Sequence, residues 1–163
     1  MMLAALALSL ALSSSAAPAA AHAVAADCKP QNPPHKTALT YPDGTTILVD
    51  IVDTPQSREI GLMCRTKLAR NYGMLFVFPQ EMGLNFWMKN TLVSLDMVWI
   101  GADKKVTAIH DHMKKSTVDT PDKDVAVAGG RGQYVLELPA GAAARRKLKA
   151  GDQLKLNVAI PEK

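Results

Sequence analysis

The chain has 163 residues, of which 48% are hydrophobic, and a formal net charge of +4. This length fits one domain with a self-sufficient core, and the sequence contains no internal repeat. The basic residues do not gather into one dense run (the nearest is ARRKLK at 144–149), and aromatic residues do not interleave with them. These features argue against a nucleic-acid-binding protein.

The N-terminus has the pattern of a secretory signal. Its apolar run, Leu3 to Leu12, is about half the roughly 20 residues that a membrane-crossing helix needs. Small residues and an Ala-x-Ala site at 21–23 follow it. We predict a periplasmic or secreted protein with no stable membrane insertion after signal cleavage. The predicted segments are a cleaved signal peptide at 1–23, a tail at 24–36 and a single domain at 37–163.

Export would place both cysteines in an oxidising compartment. Cys28 and Cys64 can then form only one intramolecular pair, and we predict that disulfide. It would close a loop of about 36 residues and contribute at most roughly 3–4 kcal/mol in the loop-entropy model. The alternative is a buried free Cys64 with a loose Cys28.

A β-hairpin and a helix open the predicted domain. Strands at 37–41 and 45–52 flank the turn Tyr41-Pro42-Asp43-Gly44, in which proline fixes φ and glycine takes the left-handed position. Asp53 then caps a helix, with Gln56 completing a capping box. We expect that helix to continue to Arg65 or Leu68.

The rest of the chain is predicted to consist mainly of short strands. GMLFVF (73–78) is apolar after its glycine, as expected of a strand buried on both faces. A long loop at 114–132 and a short helix at 139–148 interrupt the later strands. The pattern predicts an α+β domain of mostly antiparallel β, as a curled sheet or partly open barrel with two short helices. The later strands are predicted at 92–100, 105–113, 133–138 and 154–160.

Several segments form a specific pattern: Arg58, Gly61-Leu62-Met63, Arg65, GMLF at 73–76, FWMKNT at 86–91, Asp96, VLE at 135–137, Gly141 and Gly151-Asp152. Together they resemble DUF192, a family of exported and functionally uncharacterised bacterial proteins. The resemblance spans residues 38–158 and implies a small, β-rich single domain, but it implies no established activity. Cys64 stands where many relatives carry a larger side chain, and the 114–132 loop lacks cysteines that some relatives place there.

Two arginines are candidates for binding an anion. Arg58 and Arg65 lie seven residues apart, which is two turns of the predicted helix, with Gly61 between them on the same face. Two guanidiniums beside open backbone would suit a carboxylate or a phosphate. The alternative is a pair of surface arginines that form weak ion pairs with nearby acids.

The segment NFWMKNT (85–91) is a candidate cleft wall. In a strand, Phe86 and Met88 face the opposite side from Trp87 and Lys89. One pair must lie in the core, and the other can line a small-molecule site. The alternative is a core strand whose lysine extends to water and whose Asn-Thr pair forms a turn. The candidate ligand contacts in this segment are Trp87, Lys89, Asn90 and Thr91.

Two acids sit inside predicted strands. Asp96 shares a strand face with apolar residues, so it needs a cation or several donors, or its pKa must rise. Glu137, between Val135 and Leu138, is the second mid-strand acid. If Asp96 and Glu137 faced one cleft, they could serve as the catalytic pair of a hydrolase. Structural ion pairs are the alternative.

No established metal, cofactor or nucleophile motif is present. His110 and His112 lie two apart on a predicted strand and could bind a metal only with a third ligand. The methionines at 63, 74, 82, 88, 97 and 113 are spread through apolar segments, which favours core packing over copper binding. The chain lacks GxSxG, Walker, Rossmann and HExxH patterns, and we expect no cofactor.

The sequence favours an exported module that binds a small anionic or sugar-like ligand. The alternatives are a periplasmic hydrolase that uses Asp96 and Glu137, and a scaffold that binds another protein through the 114–132 loop and the ARRKLK segment. The sequence does not decide whether the protein is an enzyme, nor its oligomeric state.

Overall fold

The structure is a computed structural model, and it describes residues 28–162. The predicted signal peptide lies outside the described residues. Among residues 28–162, no helix has both the length and the apolar character needed to cross a membrane. The elements are β1 (Lys36–Thr40), β2 (Thr46–Val52), α1 (Pro55–Ile60), β3 (Met74–Trp87), β4 (Leu95–Ile100), β5 (Val106–Met113), a 3-10 helix (Asp122–Asp124), β6 (Val127–Pro139), α2 (Ala142–Arg145) and β7 (Lys155–Leu156).

The seven strands of residues 28–162 belong to one mixed sheet that curls into a half-barrel. Its strand order is β5-β4-β6-β3-β2-β1-β7. Neighbouring strands run antiparallel except β2 and β3, which are parallel because α1 carries the chain across between them. A bridge between Lys105 and Gln153 brings the two ends of the sheet together. The predicted α+β class, with mostly antiparallel β in a curled sheet, is confirmed.

The sheet carries an apolar core on each face, because consecutive residues of a strand alternate between faces. The first core contains Leu75, Val98 and Leu136 and is covered by α2 through Ala142 and Ala143. The second core lies on the opposite face. Its members include Phe76, Trp99 and Val135 from the strands, and Leu62, Met88 and Val125 from the connecting segments that cover it.

The first hairpin forms as predicted. Leu39 pairs with Ile47, and Gly44 takes a φ of 80° in the turn between the strands. The Asp43 carboxylate accepts a hydrogen bond of 2.8 Å from the Thr45 N–H. This local bond also lowers the pKa of Asp43. The proline–aspartate–glycine turn therefore sets the register of β1 and β2.

The first helix is shorter than predicted and is capped by a different residue. The N-cap is Thr54, not Asp53, and Ser57 completes the capping box in place of Gln56. The helix ends at Ile60, because Gly61 adopts a φ of 47° and a ψ of −129°. A side chain at Gly61 would also crowd an aromatic ring, since its Cβ would lie 3.1 Å from Phe76.

The last six residues of the predicted 114–132 loop are instead strand, since β6 begins at Val127. Its glycines favoured a loop prediction, but they are required by close neighbours in the sheet. A Cβ at Gly130 would lie 2.7 Å from the Trp99 indole, and one at Gly132 would lie 2.7 Å from a backbone oxygen of β4. The prediction of a strand at 154–160 is also too long, because β7 has only two residues.

The predicted disulfide between Cys28 and Cys64 is present, with a Cα–Cα distance of 5.7 Å. It holds the N-terminal segment against the end of α1. There the Gln31 amide donates hydrogen bonds of 2.8 Å to the Ser57 and Gly61 carbonyls. A structural disulfide of this kind indicates an oxidising, extracellular environment.

Candidate functional site

The end of β3 exposes the aromatic side chain of Trp87 to solvent and buries the methionine that follows it. Met88 is fully buried in the second core, whereas Trp87 is 52% exposed. Phe86 packs edge-on against Phe76 and Trp99, with ring centroids 4.8 and 5.7 Å apart. The alternation predicted for NFWMKNT therefore holds, and Trp87 is on the solvent side.

Trp87 lies at the edge of a depression that we call the aromatic cleft. It has a volume of about 260 Å³. Phe78 and Phe86 form its wall, with ring centroids 6.3 Å apart and steeply inclined planes. Such a surface suits a small ring or an apolar face of a ligand. The lining residues are Pro55, Arg58, Glu59, Phe78, Asn85, Phe86 and Trp87.

Arg58 supplies the cation of the aromatic cleft and is held in a fixed position. Its Nη1 donates to the Asp53 carbonyl and, over 3.0 Å, to the Val77 carbonyl. The guanidinium also lies 4.8 Å from the centre of the Phe78 ring. Partial burial lowers the pKa of Arg58, and the nearby Asp53 charge opposes that effect. Within residues 28–162 both side-chain hydrogen bonds of Arg58 use Nη1, so Nε and Nη2 remain for a ligand.

A narrow crevice continues inward from the aromatic cleft. The two share Arg58, Glu59, Phe86 and Trp87 as lining residues. The crevice has a volume of about 30 Å³, enough for one small polar group. Glu137 lines it together with Gly61, Leu62 and Thr91 among others.

Glu137 is a buried carboxyl with no polar partner for one of its oxygens. It is 5% exposed, and its Oε2 makes no hydrogen bond within residues 28–162. Its direct neighbours on β3 and β4 are Met74 and Met97, both fully buried. Burial raises the pKa of Glu137 to about 8. At neutral pH the carboxyl is therefore mostly protonated and able to donate a hydrogen bond.

Arg65 does not join Arg58, and the predicted two-arginine patch does not form. Because the helix ends before Gly61, the two side chains do not share a helix face. Arg65 Nη2 donates over 2.7 Å to the Gln31 carbonyl and lies 3.7 Å from the Asp50 carboxylate. Its guanidinium also lies 5.1 Å from the centre of the Tyr72 ring. Arg65 therefore holds the N-terminal segment in place through Gln31.

The polar residues after Trp87 divide between structural and lining positions. Lys89 Nζ lies 2.6 Å from the Asp122 carboxylate, which ties the loop before β6 to the end of β3. The Asn90 amide donates to the disulfide, over 3.3 Å to Cys64 Sγ. Thr91 alone of these three lines the crevice, and it is 5% exposed.

Asp96 and Glu137 face opposite sides of the sheet. Asp96 pairs with Leu138 and Glu137 with Met97, so strand alternation separates the two carboxyls. Asp96 is fully buried and accepts three backbone N–H bonds of 2.8–3.0 Å, from His112, Gly141 and Ala143. The predicted two-carboxylate cleft is therefore not formed. Within residues 28–162 no cationic side chain lies within 4.0 Å of Asp96, and backbone donors stabilise its carboxylate instead.

The two histidines of β5 also separate. The pairing of β4 with β5 shifts register between Leu95 and Met97, and His112 has a φ of 51° within that irregularity. His110 packs edge-on against Trp99, 5.1 Å away, while the His112 ring contacts Asp111 over 3.1 Å. The part of the chain that the structure describes contains no group of three metal-ligating acids, histidines or cysteines.

Phe78 and Asn85 line the aromatic cleft, but the sequence reasoning did not name them. Strand alternation does indicate Phe78, because it lies two residues after the buried Phe76 and so on the same face of β3. Its position is next to the register shift that follows Val77. Asn85 alternates with Phe86 and so shares the face of Trp87. Its place in the cleft depends on the pairing of β3 with β6, which local sequence does not specify.

Comparisons with known proteins agree with this fold. The model of the DUF192 family, described as "Uncharacterized ACR", matches residues 38–156. A candidate transcription regulator from Sinorhizobium meliloti 1021 is 32% identical and superimposes with a TM-score of 0.65, covering 77% of this chain and 97% of its own. A protein of unknown function from Novosphingobium aromaticivorans DSM 12444 is 28% identical, with a TM-score of 0.61 and coverages of 81% and 94%. No curated protein matches. The chain belongs to the DUF192 family.

Proposed function

We propose that this protein is an exported binding module whose aromatic cleft takes a small anionic or sugar-like ligand. One observation carries the proposal. A half-exposed Trp87 and a fixed Arg58 guanidinium stand at the mouth of a crevice lined by Glu137, a buried carboxyl without a partner for one oxygen. Structural needs alone account for neither the exposed indole nor the unpaired acid.

Each part of the site has a distinct role in this proposal. The Trp87 face and the Phe78–Phe86 wall contact a ring or the C–H face of a sugar. Arg58 pairs with a carboxylate or hydroxyl oxygen through Nε and Nη2. The protonated Glu137 carboxyl donates a hydrogen bond to a group that enters the crevice, helped by Thr91. Because a neutral Glu137 does not repel an anion, the site can accommodate both anionic ligands and uncharged sugar-like ligands.

The proposed location is the periplasm or the extracellular space. The Cys28–Cys64 disulfide supports it, as does the predicted signal peptide. The description of the Sinorhizobium meliloti relative as a transcription regulator concerns that protein. For this chain, the disulfide and the scattered basic residues favour a small-molecule ligand over nucleic acid.

A thermal-shift screen tests the proposal directly. The processed, oxidised protein is screened against neutral sugars, uronic acids and small aromatic and aliphatic carboxylates. We expect at least one class to raise the melting temperature in a concentration-dependent manner. Trp87→Ala should abolish that rise. Val127→Ala is the matched control, because Val127 pairs with Trp87 across the sheet and is 64% exposed but does not line the cleft.

The two variants separate the outcomes. A rise that survives in Trp87→Ala, or one that Val127→Ala removes equally, places the ligand elsewhere and contradicts the assignment of the cleft. Native mass spectrometry of protein released from the periplasm without refolding gives an independent readout. A retained small mass that Trp87→Ala loses would identify the ligand.

A further inference from the structure

A second concave site lies where three distant parts of the chain meet. The turn after β1, the loop before β3 and the region of α2 enclose a pocket of about 450 Å³, which we call the basic pocket. It shares no lining residue with the aromatic cleft or its crevice. Its apolar floor consists of Ile47, Leu138 and Ala142, all members of the first core.

The walls of the basic pocket are strongly cationic. Arg70, Arg145 and Arg146 line it, and within residues 28–162 no aspartate or glutamate does. Arg146 is held 5.0 Å from the centre of the Tyr41 ring, and its Nη1 lies 3.8 Å from the Asp43 carboxylate. In the same part of the chain, neither Arg70 nor Arg145 has a carboxylate within 4.0 Å. Two guanidinium charges around the pocket are therefore not offset by an acid.

This arrangement selects one class of ligand. A single carboxylate is satisfied by one guanidinium fork, whereas a phosphate monoester carries close to two negative charges and three acceptor oxygens. Three guanidiniums around one pocket match the second case. The apolar floor and a volume well above that of a bare phosphate add room for an organic body. We propose that the basic pocket binds a phosphate monoester dianion attached to a small, largely apolar group.

Phenyl phosphate is a suitable probe, with benzoate as its monoanionic counterpart of similar shape. Isothermal titration in phosphate-free buffer uses Trp87→Ala as the background, so that the aromatic cleft does not contribute. It should show saturable, one-to-one binding of phenyl phosphate and binding of benzoate at least about tenfold weaker. Adding the double substitution Arg70→Gln/Arg145→Gln should weaken the binding of phenyl phosphate roughly tenfold or more. Both residues are exposed, so the variant is expected to fold. Lys149→Gln is the control, since Lys149 is an exposed cation after α2 that does not line the pocket.

Equal affinity with and without the double substitution, or the same loss in Lys149→Gln, would overturn the proposal. So would equal binding of benzoate and phenyl phosphate. Vesicles of phosphatidylcholine with and without phosphatidic acid distinguish the source of the monoester. Displacement of phenyl phosphate only by phosphatidic acid vesicles assigns a lipid headgroup, and failure to displace assigns a soluble phosphate ester. Because every titration uses the Trp87→Ala background, this result is independent of the aromatic cleft, and the two proposals can fail separately.

Discussion

Replacing Glu137 by glutamine should change how stability depends on pH. In the folded protein the pKa of Glu137 is raised by burial to about 8, against an ordinary value of 4.5. Between these values the folded protein holds a proton that the unfolded chain has released. The free energy of unfolding therefore falls as pH rises, by about 1.4 kcal/mol per pH unit and by about 5 kcal/mol over the whole interval. Below pH 4.5 both states are protonated, and this contribution to stability is fully present.

Glu137→Gln keeps the shape of a neutral carboxyl and removes the titrating proton. We expect its free energy of unfolding to lose the part of the pH dependence that belongs to this group. Relative to wild type, the variant should become progressively more stable from about pH 5 to pH 8. Urea denaturation at half-unit pH steps measures the difference, with linear extrapolation at each pH.

The comparison between variants isolates this group from the other titrating side chains. Glu59→Gln is the matched control, because it removes an exposed carboxyl that lines the same crevice and leaves Glu137 in place. Its pH profile should run parallel to that of wild type. If the Glu137→Gln and wild-type profiles are also parallel within about 0.5 kcal/mol, Glu137 is charged in the folded protein and must have a partner.

Three further substitutions test the structural assignments. Replacing both Cys28 and Cys64 by serine should lower the free energy of unfolding by about 2–4 kcal/mol, and wild type measured with a reductant should match it. Asp96→Asn should cost about 3 kcal/mol in urea denaturation, because an amide cannot accept from all three backbone donors; a cost below 1 kcal/mol would contradict the network. Gly130→Ala should lower the free energy of unfolding by about 1–3 kcal/mol, because the added methyl group clashes with the Trp99 indole ring. Gly83→Ala is its control and should be nearly neutral in the same thermal melts, since a Cβ there meets no atom of residues 28–162 within 4 Å.

The parts of the fold that follow from local chemistry were predictable. The Pro42-Asp43-Gly44 turn sets φ and a side-chain hydrogen bond within four residues, so its hairpin needs no tertiary information. The disulfide follows from having two cysteines and an export signal. Gly130 shows the limit. The absence of apolar periodicity over 114–132 predicts a loop there, but the role of Gly130 depends on Trp99 of a neighbouring strand.

The candidate site was predicted in part, and the failures share one cause. Trp87 and Arg58 were identified, and they line one cleft. Arg65 was placed beside Arg58 by counting helical turns, and His110 beside His112 by counting strand residues. Both counts assume an unbroken element. A glycine with positive φ ended the helix, and a register shift interrupted the strand. The glycine is itself a local stop signal that the count of helical turns passed over, whereas the register shift depends on strand pairing and has no strong local signal.

Asp96 and Glu137 show why the site had to be found in three dimensions. Both are acids inside apolar strands, and both are buried. A sequence can establish that each needs a partner, but strand pairing decides who supplies it. Asp96 faces the first turn of α2 and a neighbouring strand, where three N–H groups satisfy it. Glu137 faces the second core between two methionines, one oxygen unpaired and a crevice beside it. Leaving a buried carboxyl unpaired does not stabilise a fold, so Glu137 is the candidate functional residue. Asp96, whose hydrogen bonds are satisfied, has a structural role.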